Sequence, residues 1–417
     1  MVEQLAGAPL PASALESLIL PARLPGYTPA LLDELTAAGE VTWTGCGPLA
    51  GTDGWLALAP ADVADLLLPE PEPDVAATPL HRAVLAALGR PDLGAAPVGG
   101  GALFFRELAD RAARTLVDDG EAGPGDDAVV TALWDLVWAG LLTNDTLAPL
   151  RARLGGRASA GRGGPAHRTR RSPARGRYAQ LRAARPTMPS RSGPPSAGGR
   201  WSLAVERETD PTRRAHARAE AYLERHGVLT RGALGTERAG GGFAGVYRVL
   251  RAMEDSGRAR RGYVVEGLGA AQFAVPGAID RLRVLSRPDG GPDGEPSAVV
   301  LAAADPAQPY GAALAWPENV GDTRHRPGRK AGALVVLVDG APVLYVERGG
   351  RSLLSFGTDR AELAAAAQAL AGAVHEGWLG TLAVERADGV GSLASELADV
   401  LTDAGFRVTP KGLRLRA

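Results

Sequence analysis

The chain has 417 residues, 45% of them hydrophobic, and a formal net charge of −1. This length and apolar content suffice for roughly two to four domains with packed cores, whereas the near-zero charge indicates no particular partner. A single cysteine, Cys46, excludes an intramolecular disulfide and a cysteine-based zinc finger, and it is typical of a reducing compartment. The sequence shows no signal-peptide pattern and no apolar run of about 18 residues, which predicts a cytoplasmic protein outside the membrane.

Three segments share a pattern in which an amphipathic helix ends at a glycine and a short β stretch follows. In the first segment, Thr28 and Pro29 predict the start of a helix and Gly39 predicts its end. Two β stretches follow, at 41–44 and 55–58, with a glycine-rich turn between them.

The second segment has predicted helices at 79–88, 104–116 and 127–139, and a β stretch after Gly140. The third has a helix at 211–226 and then a second helix that precedes an arginine-rich β stretch. Two or three helices followed by strand, turn and strand indicate a winged helix-turn-helix. The pattern therefore predicts three tandem winged helices, with three unrelated helix-to-strand transitions as the alternative.

The region between the second and third segments is rich in Arg, Gly, Pro and Ser, which predicts a disordered linker. From Arg151 to Arg200 it contains thirteen arginines and no lysine or acid, so the rest of the chain is net acidic, an asymmetry that favours an anionic polymer as partner. After Ser286, β stretches and the hairpin turn Asp339-Gly340 indicate a meandering sheet. The predicted fold is α+β: winged-helix-like domains at 1–76 and 77–154, the linker at 155–199, a winged-helix DNA-binding domain at 200–290 and a β-barrel-like module at 291–417.

The stretch Gly240 to Gly245 fits G-x-G-x-x-G, the loop that holds a dinucleotide pyrophosphate. Such a loop leaves a parallel strand and is followed about 20 residues later by an acid that binds the ribose. Residues 231–238 show no apolar strand, and the acid nearest that distance, Glu266, falls in the predicted wing. The sequence therefore favours a turn between two helices over a nucleotide site.

The helix after this turn is the predicted recognition helix of the third segment. Val246, Val249, Leu250 and Met253 recur at helical spacing and are expected in the core. Arginines and tyrosines remain for its outer face and for the wing, where they suit phosphates, guanine edges and sugars. The predicted DNA-contacting residues are Tyr247, Arg248, Arg251, Arg258, Arg260, Arg261 and Tyr263 and, in a second cationic loop, Arg326, Arg329 and Lys330. A solvated basic face is the alternative for each arginine, whereas the equivalent helices of the other segments carry acids and tryptophans and are expected to pack against other domains.

Catalytic motifs are scarce. No Ser or Thr follows Lys330, so the chain has no phosphate loop, and neither an ATP motor nor a nucleotide cofactor is predicted for it. His375-Glu376 lacks the second histidine of a zinc protease, and the six histidines are too scattered for a metal site. Asp305 begins a polar, aromatic-bearing loop and is the candidate for a catalytic carboxylate, with a simple Asp-Pro turn as the alternative.

Several long stretches carry a family resemblance, among them GGGALFFRELAD, ALWDLVWAGLLTNDTLAPLR, GGFAGVYRVLRAMEDSGRARRGYVVEG, DPAQPYGAALAWPE and VLYVERGGRSLLSF. From about residue 78 onward the chain resembles the C-terminal region of the large helicase-related (Lhr) proteins, which are superfamily 2 DNA helicases. The resemblance implies a string of winged helices and a barrel-like module linked to DNA repair. It also implies a 3′-to-5′ motor, the site of ATP and Mg²⁺, whose motifs this chain lacks.

The resemblance implies binding partners and two alternative functions for this chain. It implies single-stranded or duplex DNA, the helicase motor domain and a homo-oligomer as partners, no membrane, and a nucleoid-associated location. The first function is a DNA-binding accessory region of a repair helicase. The second is a uracil-excising glycosylase, although the paired glutamine motif of similar bacterial glycosylases is not reproduced, because Gln272 stands alone. A winged-helix transcription regulator is a third, less favoured reading.

Overall fold

The computed structural model of the protein describes residues 1–72, 75, 78–90, 101–155, 193–269, 271–285, 296–321 and 325–416. The chain forms two compact units. The first unit contains residues 1–31, 54–70 and 205–417, and the second contains residues 32–53 and 71–204. Within the described ranges, no helix is both long enough and apolar enough to cross a membrane.

The first 70 residues contain short helices and three strands. Their bounds are α1, Val2–Leu5; β1, Leu10–Pro11; α2, Ala12–Ala14; α3, Pro29–Ala37; β2, Val41–Pro48; β3, Gly54–Pro60; and α4, Ala64–Leu67, with a π-helical turn at Leu15–Ile19. Helix α3 starts at the predicted Pro29, and Gly39 follows it at φ +76°, a left-handed conformation that glycine adopts without strain. Strand β1 pairs antiparallel with β3, and the opposed Leu10 and Leu56 are fully buried in the first unit.

The second unit has the topology of a winged helix. Its elements are α5, Pro79–Ala87; β4, Leu103–Phe104; α6, Phe105–Asp118; α7, Asp126–Trp138; β5, Leu142–Asn144; α8, Ala148–Gly155; and β6, Arg200–Leu203. The strands pair antiparallel in the order β4-β6-β5, which places the last strand in the middle of the sheet. Trp134 of α7 packs edge-on against Trp201 of β6 at a centroid distance of 5.8 Å, and both rings are fully buried. The predicted tryptophan face of α7 is therefore core, because aromatic burial dominates the packing of so small a sheet.

A long insertion separates the two strands β5 and β6. The predicted linker at 155–199 falls here, and most of it, residues 156–192, lies outside the described residues. Strand β6 pairs with β4 and β5, with Trp201 opposite both Leu103 and Asn144. The pairing places Arg200–Leu203 with the preceding helices, whereas the predicted boundary at residue 200 assigns this strand to the following domain. The physical reason is Trp201, whose ring completes the core beneath α7.

The third winged helix lies in the first unit. Its elements are α9, Pro211–His226; β7, Val228–Leu229; α10, Arg231–Thr236; α11, Gly242–Asp255; β8, Arg260–Gly262; and β9, Gln272–Ala274. The sheet order is β7-β9-β8, again with the last strand in the middle. Asp210 caps α9 by accepting hydrogen bonds from Thr212 N and Arg213 N, and Thr230 caps α10 through Ala233 N. Helix and strand order match the winged helix that was predicted for this segment.

The rest of the first unit is an α+β module. Its elements are α12, Ala278–Leu285; β10, Ala298–Ala302; β11, Leu334–Val338; β12, Ala341–Val346; β13, Ser352–Ser355; α13, Arg360–His375; β14, Leu382–Val384; β15, Arg386–Ala387; β16, Val390–Gly391; α14, Leu397–Asp403; β17, Arg407–Thr409; and β18, Gly412–Leu415. One sheet has the order β10-β11-β12-β13-β15-β16, and a smaller one has the order β14-β18-β17. The predicted turn Asp339-Gly340 joins β11 to β12 with positive φ at both residues. The prediction of an α+β fold with winged helices is confirmed. The large sheet is open, with β10 and β16 at its edges, and is not closed into a barrel.

Candidate nucleic-acid interface

Helix α11 begins at Gly242, inside the glycine-rich stretch Gly240 to Gly245. Gly241 and Gly242 have φ values of +71° and +57°, and they turn the chain from α10 into α11. No parallel strand precedes this turn, because the neighbouring strands β7, β9 and β8 pair antiparallel. The stretch forms the end of the turn between two helices and the first turn of α11, and it lacks the strand-to-helix setting of a dinucleotide loop.

The two faces of α11 differ in burial. Val246, Leu250 and Met253 are buried in the core of the third winged helix, and Val249 packs against that core while partly exposed. Arg248 and Arg251 lie on the exposed face. Within the described residues neither side chain has an ion-pair partner, so both charges are open to solvent.

Tyr247 lies between these two faces and is half-buried. Its ring packs against Phe273 of β9 at a centroid distance of 5.7 Å and against Phe243 at 5.6 Å. Its hydroxyl accepts a hydrogen bond of 2.8 Å from Arg261 Nη1. Tyr247 therefore joins the recognition helix to the wing strand β8.

The three arginines of the β8 region fall into two groups. Arg258 donates to Glu220 of α9 and lies 2.9 Å from His216 Nε2. Arg261 is 3.5 Å from Glu254 and also binds Tyr247, so both side chains are partly committed to intramolecular partners. Arg260 is exposed and, like Arg248 and Arg251, has no ion-pair partner in the described part of the chain. The structure thus separates three unpaired arginines from two that are already paired.

The wing is the loop between β8 and β9, and a buried amide holds its shape. Gln272 is fully buried, and its Oε1 accepts hydrogen bonds from Val264 N and Val265 N. Its Nε2 donates to Val265 O and Gly269 O. Four bonds to the loop backbone fix the wing, and Tyr263, 81% exposed, stands at its start. Gln272, which matched no catalytic motif in the sequence, therefore has a clear structural role.

A buried ion cluster anchors the turn that precedes α11. Glu237 lies 2.5 Å from Arg225 Nη1 and 2.7 Å from His226 Nε2, at the junction of α9 and α10. Burial opposes the ionisation of Glu237, but the hydrogen bond of His226 and the charge of Arg225 outweigh it and hold its pKa below the usual value. Arg225 also donates to the carbonyls of Gln4 and Ala6, which ties α9 to α1.

The second predicted DNA contact, the cationic loop at 325–330, is largely engaged within the protein. Arg329 donates to the carbonyls of Gln308 at 2.5 Å and Asp305 at 2.9 Å, and burial lowers its pKa. Lys330 lies 2.7 Å from Glu347. Arg326 is exposed and donates to the side-chain oxygen of Asn319 at 3.4 Å. Of these three residues, Arg326 and Lys330 are exposed, whereas Arg329 is partly buried.

Asp305, the predicted catalytic carboxylate, is fully buried. The guanidinium of Arg23 binds both of its oxygens, at 2.7 and 2.6 Å, and Ala307 N donates to one of them. A bidentate pair of this kind fixes the loop that follows β10 onto the N-terminal helices. Sequence separation hides this pair, since the two residues lie 282 positions apart.

Two arginines that the sequence did not single out also lie at the turn before α11. Arg231 and Arg238 line an open groove together with Gly241, Gly242 and Phe243. Arg238 has φ +51°, uncommon for a residue with a side chain, and its guanidinium stacks 4.3 Å from the centre of the Trp55 ring. The sequence signal for both is their position, since Arg231 is the first residue of the short helix α10 and Arg238 follows its end.

The described residues contain no cluster of histidine, cysteine and acidic side chains with the geometry to hold a metal ion. One acid of each of the other two recognition-helix equivalents forms an ion pair within the protein: Asp33 of α3 pairs with Arg151 at 2.8 Å, and Asp126 of α7 pairs with Arg106 at 2.7 Å. Burial opposes the ionisation of Asp33, but the bond from Arg151 outweighs it and lowers the pKa. Neither helix contains an arginine or a lysine, so neither offers a basic face.

Comparison with known proteins supports the winged-helix assignment. Two family models described as "Large helicase-related protein, winged-helix domain" match residues 1–61 and 208–293. A solved structure, the Streptomyces sahachiroi DNA glycosylase AlkZ, was also aligned with the chain. The alignment covers 90% of this chain and 89% of the AlkZ chain, with 14% sequence identity and a TM-score of 0.45.

Two relatives align with essentially the whole chain. The "Lhr helicase/ probable uracil glycosylase" of Mycolicibacterium smegmatis is 48% identical over 100% of the chain, and the "Lhr helicase/uracil glycosylase" of Escherichia coli K12 is 37% identical over 99%. The chain spans 26% of the length of each relative. The predicted resemblance is confirmed, and the chain belongs to the large helicase-related family.

Proposed function

We propose that the chain is a DNA-binding accessory region of an Lhr-type repair helicase and that its third winged helix contacts the duplex. The observation that carries this proposal is the set of exposed and unpaired arginines Arg248, Arg251 and Arg260 on α11 and β8. In winged-helix proteins the corresponding helix and wing meet the grooves and the phosphate backbone. A guanidinium without a carboxylate partner keeps its charge and its fork of donors available for phosphate.

In this proposal the region works beside an ATP-driven motor. Both relatives are named as helicases, and the chain aligns with 26% of the length of each. ATP and Mg²⁺ belong to that motor, while the winged helices hold DNA. Binding to DNA would also place the protein at the nucleoid. A homo-oligomer stays a prediction from the family resemblance.

Titration of the chain with a fluorescently labelled duplex tests the proposal. We expect log Kd to rise linearly with log salt concentration, with a slope of about 0.9 for each neutralised phosphate. At least the three unpaired arginines contribute, so the expected slope is about three or more. A salt-independent Kd, or no binding at low salt, would refute the proposed duplex contact.

Uracil excision is a second candidate function, because both relatives carry this activity in their names. Hydrolysis of a glycosidic bond requires a flipped base and a carboxylate that activates water or stabilises the sugar cation. Asp305 is the sequence-based candidate for that carboxylate. To act on a bound nucleotide it must first leave the guanidinium of Arg23.

An oligonucleotide with a single uracil tests this second function. The expected result is abasic-site formation by the chain and its loss in the variant Asp305→Asn. Asp62→Asn, a change at an exposed position, is the matched control. Melting of each variant is followed in parallel, because the Arg23 pair also supports the fold. Abasic sites formed at an unchanged rate by the folded Asp305→Asn variant would assign the chemistry to another residue.

A further inference from the structure

Four aromatic side chains meet in the C-terminal module, outside the winged helix. Trp316 lies 5.9 Å from Phe356 with an interplanar angle of 15°, and 6.1 Å from Tyr310 with an angle of 31°. Tyr345 meets the Trp316 ring edge-on at 5.7 Å and is fully buried. Tyr310, Trp316 and Phe356, by contrast, are only partly buried. The three outer rings, which we call the aromatic platform, therefore lie next to one another, and each is partly accessible at the surface.

The surrounding backbone is adapted to this arrangement. Gly311 has φ +73°, and a Cβ there would lie 2.3 Å from Trp316 Nε1, so only glycine lets the indole lie against the loop. The hydroxyl of Tyr310 donates to Gly340 O at 3.1 Å, which fixes the orientation of that ring. Burial raises the pKa of Tyr310, so the phenol is neutral at physiological pH. The platform is thus rigid and uncharged.

Positive charge lies beside the platform. The hydroxyl of Tyr345 donates to Gly328 O at 3.2 Å, which holds the cationic loop at 325–330 next to the buried ring of the cluster. Arg326, exposed in that loop, reaches Asn319, three residues after Trp316. Aromatic rings next to a cationic segment are the combination with which proteins bind single strands, because every base has a face that can stack while the phosphates need positive charge.

We propose that the aromatic platform of Tyr310, Trp316 and Phe356, with Arg326, binds unpaired bases of single-stranded DNA. The proposal rests on the proposed function only in that the chain handles DNA. It adds a second site of different chemistry, in which base stacking supplies the affinity, whereas the arginines of α11 and β8 contact phosphate. Such a pair of sites fits a substrate that offers both a duplex and an unwound strand.

Binding of a fluorescently labelled oligo(dT) tests the platform. The variants Tyr310→Leu and Phe356→Leu are each expected to weaken binding by about 10-fold, since each removes the ring on which one base stacks. An abasic oligomer of equal length offers the same phosphates without bases, so its affinity should be unchanged in both variants. Arg326→Ala should instead lower the salt slope for both oligomers by about 0.7.

Controls separate stacking from damage to the fold. Trp316→Phe keeps an aromatic ring in the platform and should therefore retain more affinity for oligo(dT) than Trp316→Leu, which removes the ring. Phe104→Leu removes a 64% exposed ring from the other unit and should change nothing. Unchanged oligo(dT) binding in both leucine variants, or an equal loss on the abasic oligomer, would each overturn the proposal. Duplex binding reports separately on the winged helix, so loss of that function leaves the platform result intact.

Discussion

Replacing Arg248, Arg251 and Arg260 together with alanine is expected to weaken duplex binding roughly 100- to 1000-fold at about 0.1 M salt. Each residue is exposed, and none has an ion-pair partner within the described chain, so each is free to release one counterion from a phosphate. Counterion release contributes about 0.9 of a decade per phosphate at that salt concentration. The salt slope should fall by about three in the same variant.

Lysine substitutions at the same positions provide the matched comparison. Lysine keeps the charge but not the planar fork of donors, so the salt slope should stay near the wild-type value while affinity falls modestly. Arg360→Ala, in which a 74% exposed arginine of α13 is removed, should have no effect. If the triple alanine variant kept both the affinity and the slope of the wild type, the interface would lie elsewhere on the chain.

Glu237→Gln is expected to lower the free energy of unfolding by about 3–5 kcal/mol at neutral pH, the largest stability effect we anticipate for a polar change. Glutamine keeps the shape but leaves the buried guanidinium of Arg225 without a counter-charge. Because Arg225 also holds the carbonyls of Gln4 and Ala6, α1 should loosen together with the turn before α11.

The pH dependence of this effect has a definite sign. The folded pKa of Glu237 is below the ordinary 4.5, so its contribution is complete above that pH and is lost as the pH falls through the folded value. Urea unfolding at neutral pH and in acid should therefore show wild type and variant converging in acid. Asp280→Asn breaks a surface pair with Arg283 in which both side chains are at least 76% exposed, and it should leave the melting curve unchanged. A constant difference between wild type and Glu237→Gln at every pH would contradict the assigned role.

Local signals in the sequence predicted much of the fold. Capping residues and terminal glycines located α3, α9 and α11 because a helix end depends on its immediate neighbours. Helical spacing likewise placed Val246, Leu250 and Met253 in the core. Strand β6 was assigned to the wrong side of a boundary because its partner β5 ends more than fifty residues earlier, and no local pattern records a pairing over that distance.

The sequence predicted which basic residues lie at the candidate site, but not which of them form ion pairs within the protein. The basic character of α11 and β8 follows from the residues themselves, whereas the commitment of Arg258 depends on Glu220, 38 residues away on another helix. Asp305 shows the same limit, since only the three-dimensional structure brings Arg23 to it. Ion pairs between distant segments decide which charges remain available for a ligand, and composition cannot distinguish a paired arginine from an unpaired one.

Because Gln272 holds the backbone of the wing, the exposed residues of the wing can be substituted. Its side chain supplies the hydrogen bonds that would otherwise have to come from residues of the loop, and every one of those bonds ends on the loop's backbone. These bonds hold the path of the wing without using the exposed side chains that it displays. Mutations at Tyr263 or Glu266 can alter what the wing presents without altering its course, so the loop can diverge between relatives, or be redesigned, while the domain beneath it stays the same.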